Sequence, residues 1–134
     1  EAEYHEEIYR LTISDGLTRL HNQRYLLDFL ERELARSARH RRPLAVLMMD
    51  VDHFKRVNDA HGHLCGDLVL RGVADRVRPQ VRREDLFARY GGEEFAFVLV
   101  ETMAAEAAAV AERVRAAVAA APFAADRQTL PVSV

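Results

Sequence analysis

The sequence has little cysteine, little lysine and no long hydrophobic run. Its one cysteine, Cys65, excludes a disulfide within the chain and fits a reducing compartment. No apolar run is long enough to cross a bilayer, and no signal-peptide pattern is present, so we expect a cytoplasmic segment without membrane contact. Because the formal net charge is only −2, we expect no nucleic acid polymer as a partner.

Lysine occurs once, at Lys55, although the chain has 19 basic residues. Codon bias explains such a composition without any function. A functional explanation is a site that needs a compact ammonium group, which the planar guanidinium of arginine does not replace. Composition leaves both explanations open.

The 134 residues, of which 49% are hydrophobic and 30% charged, predict one globular domain with a real core. Residues 1–13 place Tyr4, Ile8 and Leu11 on one face of a helix that is too short to be stable alone. We interpret residues 1–13 as the end of a signalling or coiled-coil helix from an upstream domain. Residues 14–134 form the domain itself, the output part of a larger protein.

Hydrophobic periodicity and turn residues predict the order of elements along the chain. The predicted helices span about residues 22–41, 53–60 and 67–77, followed by an alanine-rich helix between a Thr102 cap and Pro122, and the glycines at 62 and 66 separate the second from the third. The predicted strands are 44–51, 86–90, 95–100 and a last one at 129–134, where Pro131 indicates a sheet edge. The first strand is apolar throughout, which predicts burial on both faces.

This order predicts an α+β fold of the ferredoxin-like, split βαβ type, with a βααββαβ core and a central antiparallel sheet flanked by helices. In that topology the second and third strands form a hairpin, and the third strand lies antiparallel beside the first. Asp50 ends the first strand and Glu93 lies at the hairpin tip. We therefore expect these two carboxylates to meet at one edge of the sheet.

Two carboxylates beside a backbone carbonyl suit a hard cation such as Mg²⁺, which keeps positions for water or phosphate. A different explanation is that Asp50 and Asp52 are solvated residues at a strand end and that Gly91 to Glu94 form a plain exposed turn. The histidines and cysteine of "HGHLC" lack a second pair at zinc spacing. Spacing alone leaves the metal site and the plain turn equally open.

A helix is predicted to begin directly after Asp52. The amides of His53, Phe54 and Lys55 would then be free at the positive end of a helix, which is an anion site. Lys55 adds a mobile positive charge for a terminal phosphate.

Long motifs now identify a family resemblance. The stretches "MMDVDHFKRVNDAHGHLCGDLVL" and "RYGGEEF" resemble the GGDEF family of diguanylate cyclases, in the GGEEF variant of its signature. The stretch "SDGLTRLHNQRYL" is similar to the family's first segment, with its D-x-L-T turn at residues 15–18. The resemblance covers nearly everything after residue 14. It implies a nucleotidyl-cyclase-like, palm-type fold whose further C-terminal elements are missing after Val134.

The resemblance implies a reaction in which two GTP molecules condense to cyclic di-GMP and release two pyrophosphates. Each 3′-hydroxyl attacks the α-phosphorus of the other nucleotide, and positioning and charge neutralisation govern such a transfer. Each protomer brings one GTP, so the implied catalyst is a homodimer. The implied partners are GTP, cyclic di-GMP as product and inhibitor, a second copy of the chain and an upstream sensory or regulatory domain.

Carried over residue by residue, the resemblance gives a metal site and a catalytic set. Asp50 and Glu93 would bind Mg²⁺ (or Mn²⁺) through their side chains and Val51 through its carbonyl. The implied catalytic residues are Glu93, Asp50 and Lys55. Glu93 is the candidate that assists deprotonation of the 3′-hydroxyl, although a bound metal by itself acidifies that hydroxyl.

The implied GTP-binding residues are His53, Phe54, Lys55, Asn58, Asp67, Gly91, Gly92 and Glu94. Asn58 and Asp67 match the pair that contacts guanine. The carboxylate of Asp67 can accept from guanine N1 and N2 together, whereas adenine has no such donor pair on that edge, so this residue favours GTP over ATP. Asp67 can also be the N-cap of the helix that follows Gly66.

A second nucleotide site is implied ahead of the hairpin. Arg82 and Asp85 fit the family's R-x-x-D inhibitory site for cyclic di-GMP, and Arg113 is a candidate third member. Two alternatives to the enzyme remain: a catalytically weak or inactive module that senses GTP or cyclic di-GMP, and a scaffold in which the helix at residues 1–13 mediates oligomerisation.

Overall fold

Helices and strands follow one another in this computed structural model, which describes residues 2–125 and 128–134. The helices are α1 (Ala2–Ile13), α2 (Gln23–His40), α3 (Phe54–His61), α4 (His63–Val77) and α5 (Ala104–Ala119). The strands are β1 (Leu44–Asp50), β2 (Leu86–Gly91), β3 (Glu94–Val100), β4 (Phe123–Ala125) and β5 (Gln128–Leu130).

The central sheet has three antiparallel strands in the order β1-β3-β2. β2 and β3 form the predicted hairpin, and β3 lies beside β1 with Asp50 opposite Glu94. The α+β class and the central antiparallel sheet are therefore confirmed. The pairing fixes the end of β1 and the tip of the hairpin at the same edge of the sheet.

β3 is the centre of the core. Its residues Phe95 to Leu99 are at most 1% exposed, and their side chains alternate between the two faces of the sheet. On one face Phe95, Phe97 and Leu99 join a large cluster with the buried sides of α4 and α5. On the other face Ala96 and Val98 join a smaller cluster that includes Leu26 of α2. The domain is thus a helix-sheet-helix sandwich.

β1 differs from the sequence prediction of a strand buried on both faces. Val46 and Met48 are 48% and 55% exposed, so that prediction is wrong for the α2 side of the strand. The reason is geometric, because β1 is an edge strand and α2 packs mainly over β2 and β3. A fully apolar run does not reveal that one face lacks a covering helix.

The last predicted strand also differs. Only β5 is extended there, and it pairs with β4 as a separate two-stranded sheet. Pro131 follows the strand, and residues 131–134 are not part of a strand. Ser133 instead accepts a hydrogen bond through its carbonyl from the amide of Asp52, at 2.9 Å. The C-terminal residues therefore reach the segment that follows β1.

α4 begins at His63, four residues before the predicted start, so Gly66 lies inside the helix and Asp67 is not its N-cap. Gly66 is buried where α3 crosses α4. A Cβ built there would lie 1.8 Å from Asn58 Oδ1 and 3.1 Å from Phe54 Cζ. The glycine is thus required by a close approach of two helices and not by a helix break.

The predicted Thr102 cap of the last long helix is wrong by one residue. The N-cap of α5 is Met103, whose amide donates to Glu106 Oε1 at 3.1 Å. Thr102 instead donates through its hydroxyl to the carbonyl of Val100, at 2.8 Å. The Thr102 hydroxyl therefore bonds the end of β3 and does not cap α5.

α1 confirms the predicted N-terminal helix, while its proposed signalling role stays a prediction. Of the three residues predicted to share one face of this helix, Ile8 is 44% exposed, and the side chains of Tyr4 and Leu11 are outside the part of the chain that the structure describes. Asn22 joins the end of α1 to the start of α2, because its amide donates to Ile13 O at 2.8 Å and its Nδ2 to Thr12 O at 2.9 Å. No helix in the described part of the chain is long and apolar enough to cross a membrane.

Candidate active site

The hairpin tip and the end of β1 are joined through the backbone. The turn between β2 and β3 has two residues, Gly92 and Glu93, and Gly92 has a φ of 41°, which favours glycine. The amide of Val51 donates to the carbonyl of Glu93 at 3.1 Å. Since Asp50 directly precedes Val51, the two carboxylates predicted to meet, Asp50 and Glu93, lie at the same edge of the sheet.

The electrostatics of Asp50 reflect that proximity. Partial loss of hydration raises the pKa of this carboxyl above its ordinary value of 3.8, and the negative charges of Glu93 and then Asp52 raise it further. Like charges that approach one another in this way destabilise the ionised form. A bound cation would remove the repulsion.

The oxygen donors fit a hard divalent cation. In the described residues, no three acidic, histidine or cysteine side chains form a metal cluster. The oxygens predicted as ligands are the carboxylates of Asp50 and Glu93 and the carbonyl of Val51, and the backbone pairing places these three residues at the same edge. Mg²⁺ is commonly held by one or two carboxylates together with water and substrate phosphates. A small set of protein ligands therefore suits Mg²⁺ better than it suits a cation such as Ca²⁺, which takes six to eight oxygen ligands.

The start of α3 lies directly after this edge. His53 has a φ of 56° and precedes the first residue of the helix, Phe54. The carbonyl of His53 accepts from the amides of Arg56 and Val57, at 3.0 and 3.3 Å. Among the described residues, the amides of His53, Phe54 and Lys55 have no hydrogen-bond acceptor. They form a positive helix end, and the exposed Lys55 stands beside it.

Ser133 is a neighbour of the site that sequence reasoning missed. Its hydroxyl donates to Asp52 Oδ2 at 2.8 Å, in addition to the backbone bond between the same two residues. One oxygen of Asp52 is thereby engaged, whereas Asp50 accepts no comparable bond in the described part of the chain. No pattern in the sequence signals a contact over so long a separation.

The predicted guanine pair lies on the two helices that follow. The side-chain oxygen of Asn58 is buried and has no hydrogen-bond partner among the described residues. Asp67 is exposed on the second turn of α4, the helix that packs against α3. A buried acceptor without a donor costs about 1–3 kcal/mol. This buried oxygen lies against Gly66 of α4, and its predicted contact with guanine stays a prediction.

Arg82 and Asp85, predicted as an inhibitory site, are bonded to each other. Arg82 donates to the two oxygens of Asp85 at 2.7 and 3.1 Å, and the amide of Val100 donates to Asp85 Oδ1 at 2.9 Å. The Asp85 side chain is only 2% exposed, while that of Arg82 is 47% exposed. The carboxylate is therefore occupied, and it joins the loop before β2 to the end of β3.

Arg113, the third predicted member, donates to the carbonyl of Gln80 at 3.0 Å, and no hydrogen bond joins it to Asp85 in the described residues. Arg82 also lines a cavity of about 520 Å³ between the end of α2 and the start of β1, together with Arg36 and Glu84. This cavity lies at the opposite end of the sheet from Asp50. The two candidate nucleotide sites are thus separate.

Arg89 and Asp15 form a pair that sequence reasoning missed. Arg89 Nη1 lies 3.1 Å from Asp15 Oδ1, and the Nε and Nη2 of Arg89 donate to the carbonyl of Gly92 at 3.0 and 2.8 Å. Burial raises the pKa of Asp15, but hydrogen bonds from Thr18 and the charge of Arg89 outweigh it and lower the pKa overall. The sequence signals for this pair were a charged residue, Arg89, within the hairpin strand β2 and an aspartate in the D-x-L-T turn.

Comparison with known proteins places the chain among cyclase domains. It matches the family model "Diguanylate cyclase, GGDEF domain" over residues 12–134. It is 43% identical over 118 residues to the diguanylate cyclase DgcP of Pseudomonas aeruginosa, and 43% identical over 113 residues to the response regulator PleD of Caulobacter vibrioides. These matches cover 88% and 84% of this chain but only 18% and 25% of the two relatives.

Solved structures share the architecture. The coiled coil and GGDEF domain of DgcB from Caulobacter crescentus, in complex with c-di-GMP, has a TM-score of 0.92 at 30% identity and covers 98% of this chain and 71% of that one. The diguanylate cyclase SiaD from Pseudomonas aeruginosa, in complex with its activator SiaC, has a TM-score of 0.88 at 39% identity, with 98% and 51% covered. The palm-type, nucleotidyl-cyclase-like fold is confirmed.

The raised pKa of Asp50 gives a direct test of the carboxylate pair. We expect Glu93→Gln to lower the pKa of Asp50 in the metal-free protein, because one of the negative charges that disfavour ionisation is removed. A carboxyl ¹³C titration by NMR measures this shift. The matched control is Glu31→Gln on the exposed side of α2, which should leave Asp50 unchanged. An Asp50 pKa that is the same in wild type and Glu93→Gln would contradict the pairing.

Proposed function

The chain belongs to the GGDEF family of diguanylate cyclase domains, and on that premise we propose that it condenses two GTP molecules into cyclic di-GMP with release of two pyrophosphates. One observation carries the proposal: the β1-β3 pairing brings Asp50 and Glu93 to one edge, directly beside the free amides at the start of α3. A cation site next to an anion site is what a metal-nucleoside triphosphate complex requires.

The carboxylates of Asp50 and Glu93 and the carbonyl of Val51 hold Mg²⁺ or Mn²⁺. When bound, the ion neutralises charge on the phosphates and acidifies the attacking 3′-hydroxyl. Glu93, at the tip of a two-residue turn, also orients that hydroxyl and accepts its proton. The repulsion between Asp50 and Glu93 supports this assignment, because a bound cation would lower the electrostatic cost that the metal-free protein bears.

The phosphates bind at the start of α3. The amides of His53, Phe54 and Lys55 donate to the phosphate oxygens, and the Lys55 ammonium contacts the terminal phosphate. The glycines at 91 and 92 and the carboxylate of Glu94 complete the wall of the site on the hairpin side. Positioning of this kind, and not covalent chemistry, supplies most of the rate in phosphoryl transfer.

Guanine lies over α3 and α4. Asn58 Oδ1 accepts from the guanine amino group, which gives this buried atom the donor it lacks. The Asp67 carboxylate accepts from N1 and N2. Adenine lacks this pair of donors and would leave the carboxylate without partners, so the site discriminates against ATP.

Catalysis needs a second protomer, because each chain presents one GTP and the ring closes between two of them. An upstream domain controls the approach of the two protomers through α1. Cyclic di-GMP inhibits by binding the exposed guanidinium of Arg82, with Arg113 nearby on α5 and the cavity of about 520 Å³ beside it. Use of Asp85 by the product requires that its bond to Arg82 open first.

The catalytic assignment is tested with Glu93→Gln. We expect the variant to form cyclic di-GMP from GTP and Mg²⁺ at least about 100-fold more slowly, because charge stabilisation of the transition state is lost. Chromatographic quantification of cyclic di-GMP measures this rate in the full-length protein, with Glu31→Gln as the matched control. Equal rates for Glu93→Gln and wild type would reject the enzyme and leave the nucleotide-sensing alternative.

The guanine contact is tested through Gly66. We expect Gly66→Ala to weaken GTP binding about tenfold, because the new methyl group displaces the Asn58 amide and removes one hydrogen bond. Calorimetric titration of GTP measures this loss. Gly16→Ala is the control, since a Cβ there meets nothing within 4 Å. GTP affinity that is unchanged in Gly66→Ala, with the fold retained by circular dichroism, would remove Asn58 from the site.

The inhibitory site is tested with Arg82→Ala. We expect the concentration of cyclic di-GMP that halves activity to rise about tenfold or more, and the melting temperature to fall because Asp85 loses its charged partner. The neighbouring exposed residue provides the control, Arg83→Ala. A lower melting temperature with unchanged inhibition would show that the R-x-x-D pair here only stabilises the fold.

A further inference from the structure

The D-x-L-T turn at residues 15–18 is attached to the outer edge of the hairpin. The amide of Arg89 donates to the carbonyl of His21 at 2.9 Å, and His21 forms an isolated parallel bridge with Ala88. Ser14 and His21 bridge each other across the turn. The segment between α1 and α2 therefore extends the sheet beside β2, on the side away from β1.

The Arg89 side chain crosses from this turn to the hairpin tip. One end of its guanidinium contacts the Asp15 carboxylate, and the other donates twice to the carbonyl of Gly92. The Arg89 and Asp15 side chains are 18% and 20% exposed, so the pair is partly shielded from water and salt. Asp15 Oδ2 also accepts from the amide and the hydroxyl of Thr18, at 2.8 and 2.7 Å. Both partners are thereby held in one geometry.

The carbonyl of Gly92 belongs to the peptide plane that extends from Cα of Gly92 to Cα of Glu93. Since a peptide is planar, two donors on that oxygen fix the plane and with it the direction of the backbone on the N-terminal side of Glu93. The plane on the other side is fixed as well, because Val51 donates to the carbonyl of Glu93. The direction of the Glu93 side chain thus depends on Arg89 and Val51 together.

Asp15 also lies close to α1. This helix ends two residues earlier, at Ile13, and Asn22 binds the carbonyls of both Thr12 and Ile13. A displacement of the end of α1 therefore moves the turn that holds Asp15. Arg89 carries the displacement to Gly92, within one residue of Glu93.

We propose that Arg89 is a positioning residue for Glu93, and that the chain of contacts Asp15, Arg89, Gly92 transmits the placement of α1 to the metal-binding edge. The proposal rests on the proposed function, in which Glu93 binds the metal. Through these contacts the position of α1 would affect the orientation of Glu93 within one protomer. Control by the approach of two protomers is a separate effect.

The test compares two arginines that bind the same turn. Arg89→Met removes the link to Gly92. Arg78→Met removes a bond to the carbonyl of Thr18, at 3.0 Å, but touches no residue of the hairpin. The probe is Mn²⁺ alone, whose binding to the full-length protein is measured by electron paramagnetic resonance without any turnover. We expect Arg89→Met to weaken Mn²⁺ binding about tenfold and Arg78→Met to leave it unchanged.

Two further measurements separate positioning from loss of structure. Arg89→Met should lower kcat while the KM for GTP changes little, since the groups assigned to phosphate and guanine lie on His53, α3 and α4, and the hairpin glycines only border the site. Hydrogen exchange at the Val51 amide, which is bonded to Glu93, should become faster in Arg89→Met and stay the same in Arg78→Met. Asp15→Asn should weaken Mn²⁺ binding less, and its effect should not add to that of Arg89→Met.

The proposal would be overturned if Arg89→Met binds Mn²⁺ and exchanges the Val51 amide as the wild type does. It would also be overturned if Arg89→Met and Arg78→Met lose equal amounts of Mn²⁺ affinity. Additive effects of Asp15→Asn and Arg89→Met would overturn the transmission from α1. Failure of the proposed function is distinguishable, because it appears as wild-type Mn²⁺ binding in Glu93→Gln. The Val51 exchange contrast between the two arginine variants reports on the hairpin in either case.

Discussion

The antiparallel pairing of β1 with β3 is the constraint on which the site depends. It sets Asp50 opposite Glu94 and brings the amide of Val51 to the carbonyl of Glu93. A shift of this register by one residue would turn Phe95, Phe97 and Leu99 away from the core. The buried face of β3 therefore fixes the register, and the register fixes where the carboxylates lie. The position of the carboxylates at the sheet edge thus follows from the packing of β3 in the core.

The sequence predicted this arrangement well because two strong signals agreed. Strand periodicity and a glycine-rich turn defined the hairpin, and the topology then placed Asp50 and Glu93 together. It failed where packing between elements decides the outcome. Gly66 has the pattern of a helix break, but it is an interior residue of α4 that lets α3 approach closely. The exposed face of β1 likewise depends on where α2 lies, which no local pattern encodes.

Ion pairs were the least predictable part. The R-x-x-D motif was predicted to bind cyclic di-GMP, and its spacing did not indicate that Asp85 is a buried carboxylate bonded to Arg82 and to the amide of Val100. Arg89 is also fully engaged, since its planar guanidinium donates to the Asp15 carboxylate and to the carbonyl of Gly92 at once. A lysine ammonium is a point charge and does not bridge two fixed acceptors in this way. Arginine thus has a structural use at these two positions, whereas the single lysine is exposed in the first turn of α3.

Several polar groups without partners lie around the edge formed by β1, the hairpin and α3 in the described part of the chain, and one further buried atom, His21 Nδ1, lacks a hydrogen-bond partner away from it. Asp50 bears the repulsion of Glu93 and Asp52, three amides at the start of α3 lack acceptors, and Asn58 Oδ1 is buried without a donor. Away from this edge, buried charges such as Asp85 have their hydrogen bonds. Polar groups without partners raise the free energy of the folded protein unless a ligand pairs them. The proposed ligand, with a divalent cation, phosphate oxygens and an amino group, would pair all three kinds at once. The edge formed by β1, the hairpin and α3 therefore carries unpaired donors and acceptors of the kinds that the proposed metal-bound guanine nucleotide would pair.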